Sequence, residues 1–258
     1  MMQLPLIRLA QGQLNLLEIC PPQFQRLYLE ELGSPISPEE QEKQSWGSQF
    51  HLLMQQRELG LPIDSLLKED EEVQRSLNGL VAAVPEIGGL TGTILRDAEH
   101  CRTLNFQGYL LTVVYDLLIV EGKKAQILDW KTYLQPQSQK KLAQNWQTRL
   151  YLYVLAETSE YLPEQISMTY WFVRLPRTPA SVNFIYNDLL HQQTRQDLSS
   201  ILTKLDSWLA EYLDEGIAFP HRLNCQEVCP YYSSFFATWG KSSIDLYTSI
   251  ENIEEVSI

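Results

Sequence analysis

Cysteine, long apolar runs and basic residues are all scarce in this chain of 258 residues. Its four cysteines are too few and too scattered for a disulfide framework, which indicates a reducing, cytoplasmic environment. No apolar stretch approaches the roughly 20 residues that span a bilayer, so a membrane protein is not expected. The N-terminal segment has no basic stretch followed by a sustained apolar core, so export is not expected either.

The shortage of basic residues bears on the partners that the chain can bind. Lys and Arg number 20 against 32 Asp and Glu, which gives a formal net charge of −12. Affinity for nucleic acid is built mainly from Lys and Arg contacts to phosphates, so extensive nonspecific DNA binding is disfavoured. A locally basic groove that holds a short span of nucleic acid, or holds it with the help of a protein partner, remains compatible with this charge.

Two kinds of periodicity divide the chain. Ser37, followed by Pro38 and Glu40, predicts a helix that begins with a capping box and ends near Gly60. Further helices are predicted at about 20–32, 69–83, 139–158 and 187–215, and strands at 108–122, 125–132, 166–176 and 181–187. This order predicts an α/β domain in which a mixed sheet has helices on both sides.

The central predicted hairpin brings two acids together. With a turn around Gly122, Val120 is expected opposite Ala125, which places Asp116 opposite Asp129. Two facing carboxylates in apolar surroundings repel each other, and a hard divalent cation would offset this repulsion. Mg²⁺ is a natural candidate because it uses one or two carboxylates together with water and substrate phosphate.

A lysine shares a face with the second acid. Lys131 follows Asp129 by two residues, so both side chains leave the same side of the strand. Its ammonium could position an attacking water and neutralise charge on a phosphate, which predicts a phosphodiesterase site. A buried ion pair between Asp116 and Lys131, with no metal, is the alternative that these residues leave open.

Four short motifs follow one another along the chain. They are Gly-x-x-x-His at Gly47 and His51, a lone acid at Asp116, Asp-x-Lys at Asp129 to Lys131, and Gln-x-x-x-Tyr at Gln147 and Tyr151. Together with the opening segment QLNLLEICPPQFQRLYLEEL, this order resembles the RecB-like branch of the PD-(D/E)XK nuclease superfamily, from about residue 11 to 235. The resemblance implies a single domain over 1–258 with a restriction-endonuclease-like core at about 90–186, a central mixed β-sheet flanked by helices. It also implies N-terminal helices at about 12–85 and a C-terminal helix and tail at about 187–240.

The resemblance further implies a metal site and a catalytic lysine. Asp116 and Asp129 would hold Mg²⁺ or Mn²⁺, joined by His51 and by the backbone carbonyl of Trp130. A neutral imidazole suits Mn²⁺ better than Mg²⁺. Lys131 would position the attacking water.

Other residues are expected to contact the substrate. Gln147 and Tyr151, one helical turn apart, would face the substrate strand and orient Lys131 or a phosphate. Arg149 is a predicted substrate-binding residue, whereas Glu99 is expected to be a peripheral salt-bridge partner. Arg149 belongs to a predicted basic rim with Lys123, Lys124, Lys140, Lys141, Arg174 and Arg177.

The sequence departs from the family pattern in two ways. Val113 stands where family members commonly have glycine, and its side chain could tighten the strand packing or obstruct the substrate. Some relatives hold an iron–sulfur cluster with four cysteines. Cys20 and Cys229 match that pattern, but Cys225 is displaced by one residue and Phe235 replaces the last thiolate. A [4Fe–4S] cluster normally needs four thiolates, so no cluster is expected.

The sequence therefore predicts a Mg²⁺- or Mn²⁺-dependent deoxyribonuclease. Two alternatives stay open: a catalytically inactive scaffold or adaptor in a DNA-processing complex, and a phosphoesterase that acts on RNA or nucleotides. Serine-hydrolase chemistry is not supported because the chain has no Gly-x-Ser-x-Gly elbow. A nucleotide-driven motor is not supported because there is no Gly-rich phosphate loop.

Overall fold

The computed structural model describes residues 7–33, 37–68, 70–84, 95–175 and 178–222. Its strands are β1 (Arg8–Leu9), β2 (Leu95–Phe106), β3 (Tyr109–Glu121), β4 (Lys124–Lys131), β5 (Ile166–Phe172) and β6 (Ala180–Ile185). The helices are α1 (Gln11–Ile19), α2 (Pro21–Phe24), α3 (Pro38–Glu58), α4 (Asp64–Leu67), α5 (Glu71–Ala83), α6 (Gln139–Gln144), α7 (Trp146–Glu157) and α8 (Asp188–Glu215). A π-helical turn at Gln25–Leu29 extends α2. None of the helices in these ranges is both long and apolar enough to cross a membrane.

The six strands form one mixed sheet in the order β1-β3-β4-β5-β6, with β2 also paired to β3. The pairs β2–β3, β3–β4 and β5–β6 are antiparallel, whereas β1–β3 and β4–β5 are parallel. Helices cover both faces of this sheet, so the predicted α/β class is confirmed. The strand ranges predicted from periodicity did not include β2, nor the short strand β1, whose two residues carry no periodicity.

Two apolar cores lie on opposite sides of the sheet. One core packs α1, α7 and α8 against side chains such as Leu111, Tyr115 and Ile127. The other packs α3, α4 and α5 against side chains such as Leu117 and Leu128. These two helical layers form the walls on either side of the site described below.

The start of α3 follows the predicted capping chemistry. The Ser37 hydroxyl accepts a hydrogen bond from the Glu40 backbone N–H at 3.2 Å, and the Glu40 carboxylate accepts one from the Ser37 backbone N–H at 3.1 Å. Each bond satisfies a backbone donor that the helix itself leaves unpaired. The predicted capping box is confirmed.

Two helix predictions need correction. The single helix predicted at 139–158 is divided at Asn145, whose extended backbone (φ −67°, ψ 139°) ends α6 and begins α7. Its side-chain oxygen accepts a hydrogen bond from the Gln147 backbone N–H at 2.7 Å, as an N-cap does. The helix predicted at 20–32 ends earlier, because its second half is the π-helical turn that stops at Leu29.

The register of the central hairpin is the predicted one. Val120 pairs with Ala125, and the regular ladder runs from there to Leu117 and Leu128. Asp116 and Asp129 occupy the next position, where the two strands begin to separate.

Candidate active site

Two strands share one edge of β3 and leave a gap between them. β2 pairs with β3 along nearly all of its length and occupies the other edge. On the shared edge, β4 pairs with residues 117–121 of β3, and β1 pairs with Leu110 and Leu111. Residues 112–116 of β3 therefore lie between β1 and β4, a stretch that we call the strand gap. Asp116 is its last residue, next to the point where β4 separates from β3.

The side chain of Asp116 takes the place of a backbone hydrogen-bond acceptor from β3 at this point. Its Oδ2 accepts a hydrogen bond from the Trp130 backbone N–H at 2.6 Å. The imidazole of His51 lies against the same groups, with Nδ1 3.3 Å from Asp116 Oδ1 and Nε2 3.1 Å from the Trp130 carbonyl oxygen. Three residues that were predicted to act at a metal therefore contact one another directly.

Asp129 and Lys131 meet Gln147 on the α7 side of the sheet. Lys131 Nζ donates to Gln147 Oε1 at 2.6 Å, and Gln147 Nε2 donates to Asp129 Oδ2 at 2.8 Å. Lys131 Nζ also lies 3.2 Å from Asp129 Oδ1, which is within ion-pairing distance but without hydrogen-bond geometry. The lysine of the sequence pattern thus pairs with Asp129, and not with Asp116 as in the metal-free alternative.

Burial strongly affects the ionisation of Asp129. Asp129 is 2% exposed and Lys131 is 7% exposed. The pKa of Asp129 is raised to about 7, mainly by burial; the ammonium of Lys131 opposes this rise and the nearby Asp116 carboxylate adds to it. A bound cation would favour the ionised carboxylate, since a nearby positive charge stabilises it.

Glu99 is a site residue that the sequence reasoning placed at the periphery. It adopts a left-handed backbone conformation (φ 52°), which is uncommon for a residue other than glycine. The pairs on either side of it in the β2–β3 ladder place it across from Asp116. One oxygen of Glu99, one of Asp116 and one ring nitrogen of His51 lie within 4.8 Å of one another. The prediction that Glu99 is peripheral is therefore wrong.

A signal for Glu99 was present in the sequence. The turn between β2 and β3 is formed by Gln107 and Gly108, both with positive φ (51° and 83°). Such two-residue turns fix the register of a hairpin. Counting back from this turn puts Glu99 opposite Asp116 in the β2–β3 hairpin. Counting from the Gly122 turn puts Asp129 opposite Asp116 in the β3–β4 hairpin in the same way.

The donor atoms fit a divalent cation. Carboxylate oxygens suit Mg²⁺, and an added imidazole suits Mn²⁺. The two ring nitrogens of His51 lie near Asp116 Oδ1 and the Trp130 carbonyl oxygen, so a neutral ring can donate a hydrogen bond to one of them and keeps a lone pair on its other nitrogen. Asp129 Oδ1 is buried and has no hydrogen-bond partner among the residues described, so it has a lone pair to offer. Within the described ranges, His51, Glu99 and Asp116 are the one cluster of three such ligands.

These groups open into a cavity of about 440 Å³. Asp116, Asp129 and Lys131 lie at its base, together with Glu99, Gln147 and Tyr151. One wall is α3, through Gln44, Gly47, Ser48 and His51, and the opposite wall is the first turn of α1, through Gln11, Gly12 and Asn15. The predicted catalytic and metal residues therefore share one solvent-connected space.

Tyr151 lies in the same cavity, one turn after Gln147. Its backbone carbonyl accepts a hydrogen bond from the Tyr115 hydroxyl at 3.0 Å, which holds this part of α7 against β3. Burial, followed by the charges of Asp129 and Asp116, raises the pKa of the Tyr151 phenol well above its usual range. The hydroxyl therefore stays protonated and is able to donate a hydrogen bond at neutral pH.

The structure does not bring Arg149 to the cavity. Its guanidinium lies 4.1 Å from the centre of the Trp146 ring and forms an ion pair with Asp197 of α8. It leaves α7 on a different side from Gln147 and Tyr151, because residues two apart on a helix do not share a face. The predicted substrate contact of Arg149 is not supported by this position.

The other described members of the predicted basic rim, including Lys140 and Lys141 of α6, do not line the cavity either. Lys123 and Lys124 lie at the Gly122 turn, at the opposite end of β4 from Asp129. Arg174 forms an ion pair with Glu72, at 2.8 Å between Nε and Oε1. Arg177 lies outside the described residues.

Two other predictions concern departures from the family pattern. Val113 is 1% exposed and packs in the core with Tyr115, whereas its neighbour Val114 lines the cavity. The valine therefore tightens the packing of β3 and does not obstruct the site. Cys20 is buried near α2, but Cys225 and Cys229 lie outside the described residues, so the absence of a cluster stays a prediction.

The metal-free protein is expected to lose stability as the pH rises from about 5 to 8. The pKa values of Glu99 and Asp129 are both raised to about 7 in the folded chain, mainly by burial. The folded state therefore binds more protons than the unfolded state above about pH 4, and the energetic penalty grows until these carboxyls ionise near pH 7. We expect the free energy of unfolding to fall by about 3 kcal/mol, most of it from Asp129, with the share of partly exposed Glu99 reduced by solvent screening.

Urea denaturation in EDTA at stepped pH would measure this loss. Glu99→Gln should make the free energy of unfolding vary less with pH. Mn²⁺ should stabilise the protein more at pH 8 than at pH 6, because carboxylate ligands must be deprotonated to bind it. A free energy of unfolding that stays constant over this range would contradict the prediction.

The comparison with protein families agrees with the motifs. The family model of the PD-(D/E)XK nuclease superfamily matches residues 8–234. Among solved structures, a candidate exonuclease from Eubacterium rectale is similar over 94% of this chain and 92% of its own, with 11% identity and a TM-score of 0.49. The crystal structure of SSO0001 is similar over 84% of this chain and 88% of that one, with 13% identity and a TM-score of 0.38. No curated protein matches. Because the family match spans every element that lines the cavity, the chain belongs to the PD-(D/E)XK nuclease superfamily.

Proposed function

We propose that this chain is a nuclease that hydrolyses phosphodiester bonds of DNA with the help of Mg²⁺ or Mn²⁺. The observation that carries the proposal is the meeting of Glu99, Asp116, Asp129 and Lys131 in one cavity at the strand gap. Three acids at one site would repel each other without a cation, and an ammonium beside them suits an anionic substrate.

The metal ligands that we propose are His51, Glu99 and Asp116, with the Trp130 carbonyl and Asp129 next to them. When bound, a divalent cation stabilises negative charge that develops on a phosphate and lowers the pKa of a water. Asp116 has a second role, because its bond to the Trp130 backbone N–H holds the end of β4 against β3. The position of Asp116 is therefore fixed by the sheet itself.

Lys131 is proposed to orient the attacking water and to stabilise charge on the phosphate. Its Nζ is held by Gln147 at 2.6 Å and by Asp129 at 3.2 Å, and it lies 5.1 Å from the centre of the Tyr170 ring. These contacts restrict the ammonium to one position, which lowers the cost of ordering it when substrate binds. Gln147 acts as the positioning residue, since it bonds to both Lys131 and Asp129.

The family branch, the location and the partners that we propose rest on the sequence alone. The order of motifs favours the RecB-like branch, and the few scattered cysteines favour a cytoplasmic protein. The net charge of −12 favours a substrate held over a short span, or held together with a protein partner in a DNA repair or processing complex.

Cleavage assays test the proposal. Purified protein is incubated with labelled single-stranded DNA, duplex DNA and RNA in Mn²⁺, in Mg²⁺ and in EDTA. We expect metal-dependent cleavage of at least one DNA substrate. A folded protein that binds Mn²⁺ but cuts no DNA would contradict the proposal and favour the scaffold alternative, and cleavage of RNA alone would favour the RNA phosphoesterase.

A further inference from the structure

The first turn of α1 forms part of the cavity wall. Gln11, Gly12 and Asn15 line the space that contains Asp116 and Lys131. β1 places this turn, because Leu9 pairs in parallel with Leu111 of β3 and α1 begins two residues later. Along the strand direction, Gln11 is about level with the middle of the strand gap, roughly 10 Å before Asp116 at 3.3 Å per residue.

This helix start lacks a side-chain cap. The N-cap residue of α1 is Ala10, which has no oxygen to accept from the following backbone N–H groups. The first internal bond runs from Leu14 N–H to the Ala10 carbonyl, so the N–H groups of Gln11, Gly12 and Gln13 have no helical partner. By contrast, side chains cap the other helices of six or more residues: α3, α5, α6, α7 and α8 are capped by Ser37, Asp70, Ser138, Asn145 and Asn187, whereas the four-residue helices α2 and α4 are not capped.

A side-chain amide accompanies these backbone donors. Gln11 is 9% exposed, lines the cavity, and has no side-chain hydrogen bond to any residue in the described ranges. Its amide therefore reaches the cavity with hydrogen-bonding capacity that a ligand could use. Gly12 follows it directly and has no side chain to keep a ligand away from the backbone. Asn15, one turn on, is already bonded to Asn145 and Trp146.

We propose that the first turn of α1 is a phosphate subsite that holds a phosphodiester neighbouring the scissile one in the same strand. The donors are the backbone N–H groups of Gln11, Gly12 and Gln13 and the side-chain amide of Gln11. Helix N-termini favour anions because unpaired N–H groups and the helix dipole point toward them. The inference rests on the proposed nuclease function, since it assigns the cavity wall to the same substrate.

The chemistry of the site favours phosphate over other anions of the cell. The base of the cavity is suited to a cation and a phosphodiester, so a nucleic-acid strand that enters must present its next phosphate within one or two nucleotides. Uncharged amide and backbone donors bind such a phosphate without sequence preference. They also supply anion affinity that a chain with few lysines and arginines lacks.

A cap added at Ala10 tests the subsite without weakening the fold. Ala10 has an extended backbone (φ −109°, ψ 177°), which suits an N-cap aspartate. Ala10→Asp should stabilise α1 while its carboxylate occupies the free N–H groups and repels phosphate. Ala210→Asp, on the exposed side of α8, adds the same charge far from the cavity and serves as the matched control.

Binding is measured in Ca²⁺ with a single-stranded oligonucleotide of eight bases. A set of oligonucleotides replaces one phosphate at a time by an uncharged methylphosphonate. We expect Ala10→Asp to raise the Kd about tenfold and Ala210→Asp to leave it within about twofold. We also expect one methylphosphonate position to weaken binding by wild type but not by Ala10→Asp. An unchanged Kd for Ala10→Asp, or equal sensitivity of both proteins at every position, would overturn the subsite.

A small substrate separates this inference from the proposed function. Bis(p-nitrophenyl) phosphate has a single phosphate and cannot occupy a neighbouring subsite. Wild type and Ala10→Asp should hydrolyse it at equal rates in Mn²⁺, while Ala10→Asp cuts the oligonucleotide more slowly. If wild type hydrolyses neither the small substrate nor the oligonucleotide, the nuclease function is rejected. If wild type and Ala10→Asp cut the oligonucleotide at equal rates, only the subsite is rejected.

Discussion

Replacing Lys131 with methionine is expected to lower DNA cleavage by about 10³-fold while Mn²⁺ binding stays within about threefold of wild type. Lys131 contacts Gln147 and Asp129 and is not among the three clustered ligands. Its removal takes away a positioned positive charge at the phosphate. The metal-free fold should persist, because without the ammonium the pKa of Asp129 rises further and the buried carboxyl becomes neutral until a cation binds.

Single-turnover cleavage and calorimetric Mn²⁺ titration would measure the two effects. Lys124→Met is the matched control, since Lys124 is exposed at the opposite end of the same strand. It should leave both quantities unchanged. Cleavage by Lys131→Met within tenfold of wild type would remove Lys131 from the catalytic group.

Replacing Asp116 with asparagine is expected to weaken Mn²⁺ binding by about 100-fold and cleavage by at least about 10³-fold. Asp116 contacts His51 and is one of the three clustered ligands, so its charge matters to the metal. The asparagine side-chain oxygen can still accept from the Trp130 backbone N–H, which keeps β4 in place. Loss of the metal should therefore occur without loss of the fold.

Calorimetry and the Mn²⁺-dependent rise in Tm would report this loss directly. Glu121→Gln, at the exposed far end of β3, removes the same charge as a control. An Asp116→Asn protein that binds Mn²⁺ as tightly as wild type would contradict the ligand assignment. The Lys131 and Asp116 variants together separate the two roles: one loses cleavage alone, and the other loses the metal and cleavage.

The hairpin shows how much of the site could be predicted from sequence. The turn at Gly122 fixes the pairing of Val120 with Ala125, and strand alternation then places Asp116 and Asp129 together. These are local rules over fewer than twenty residues, so the register followed from the sequence. The motifs also placed His51, Gln147 and Tyr151 in the cavity, although here the resemblance to a family supplied what local rules could not.

The predictions for Glu99 and Arg149 differ from the structure for a physical reason. Glu99 reaches the site because a left-handed residue in β2 faces Asp116 across a second hairpin, a distortion that no alternation pattern contains. Arg149 is drawn away because α8 offers Asp197 and Trp146 offers its ring face. The partner of a long flexible side chain depends on what the fold places within reach, so charge and position in the sequence cannot determine it.

By itself, the sequence determined most of the elements and the register of the central hairpin of this protein: capped helices, an apolar strand pair and two acids at the position after its last regular pair. Those features depend on neighbours along the chain, where capping, turn geometry and periodicity act. Only the tertiary structure decided which groups converge, because β1 and β4 share one edge of β3 and so open the gap between α1 and α3. Glu99, His51 and the first turn of α1 meet at that gap from distant parts of the chain, and their convergence results from packing between sheet and helices.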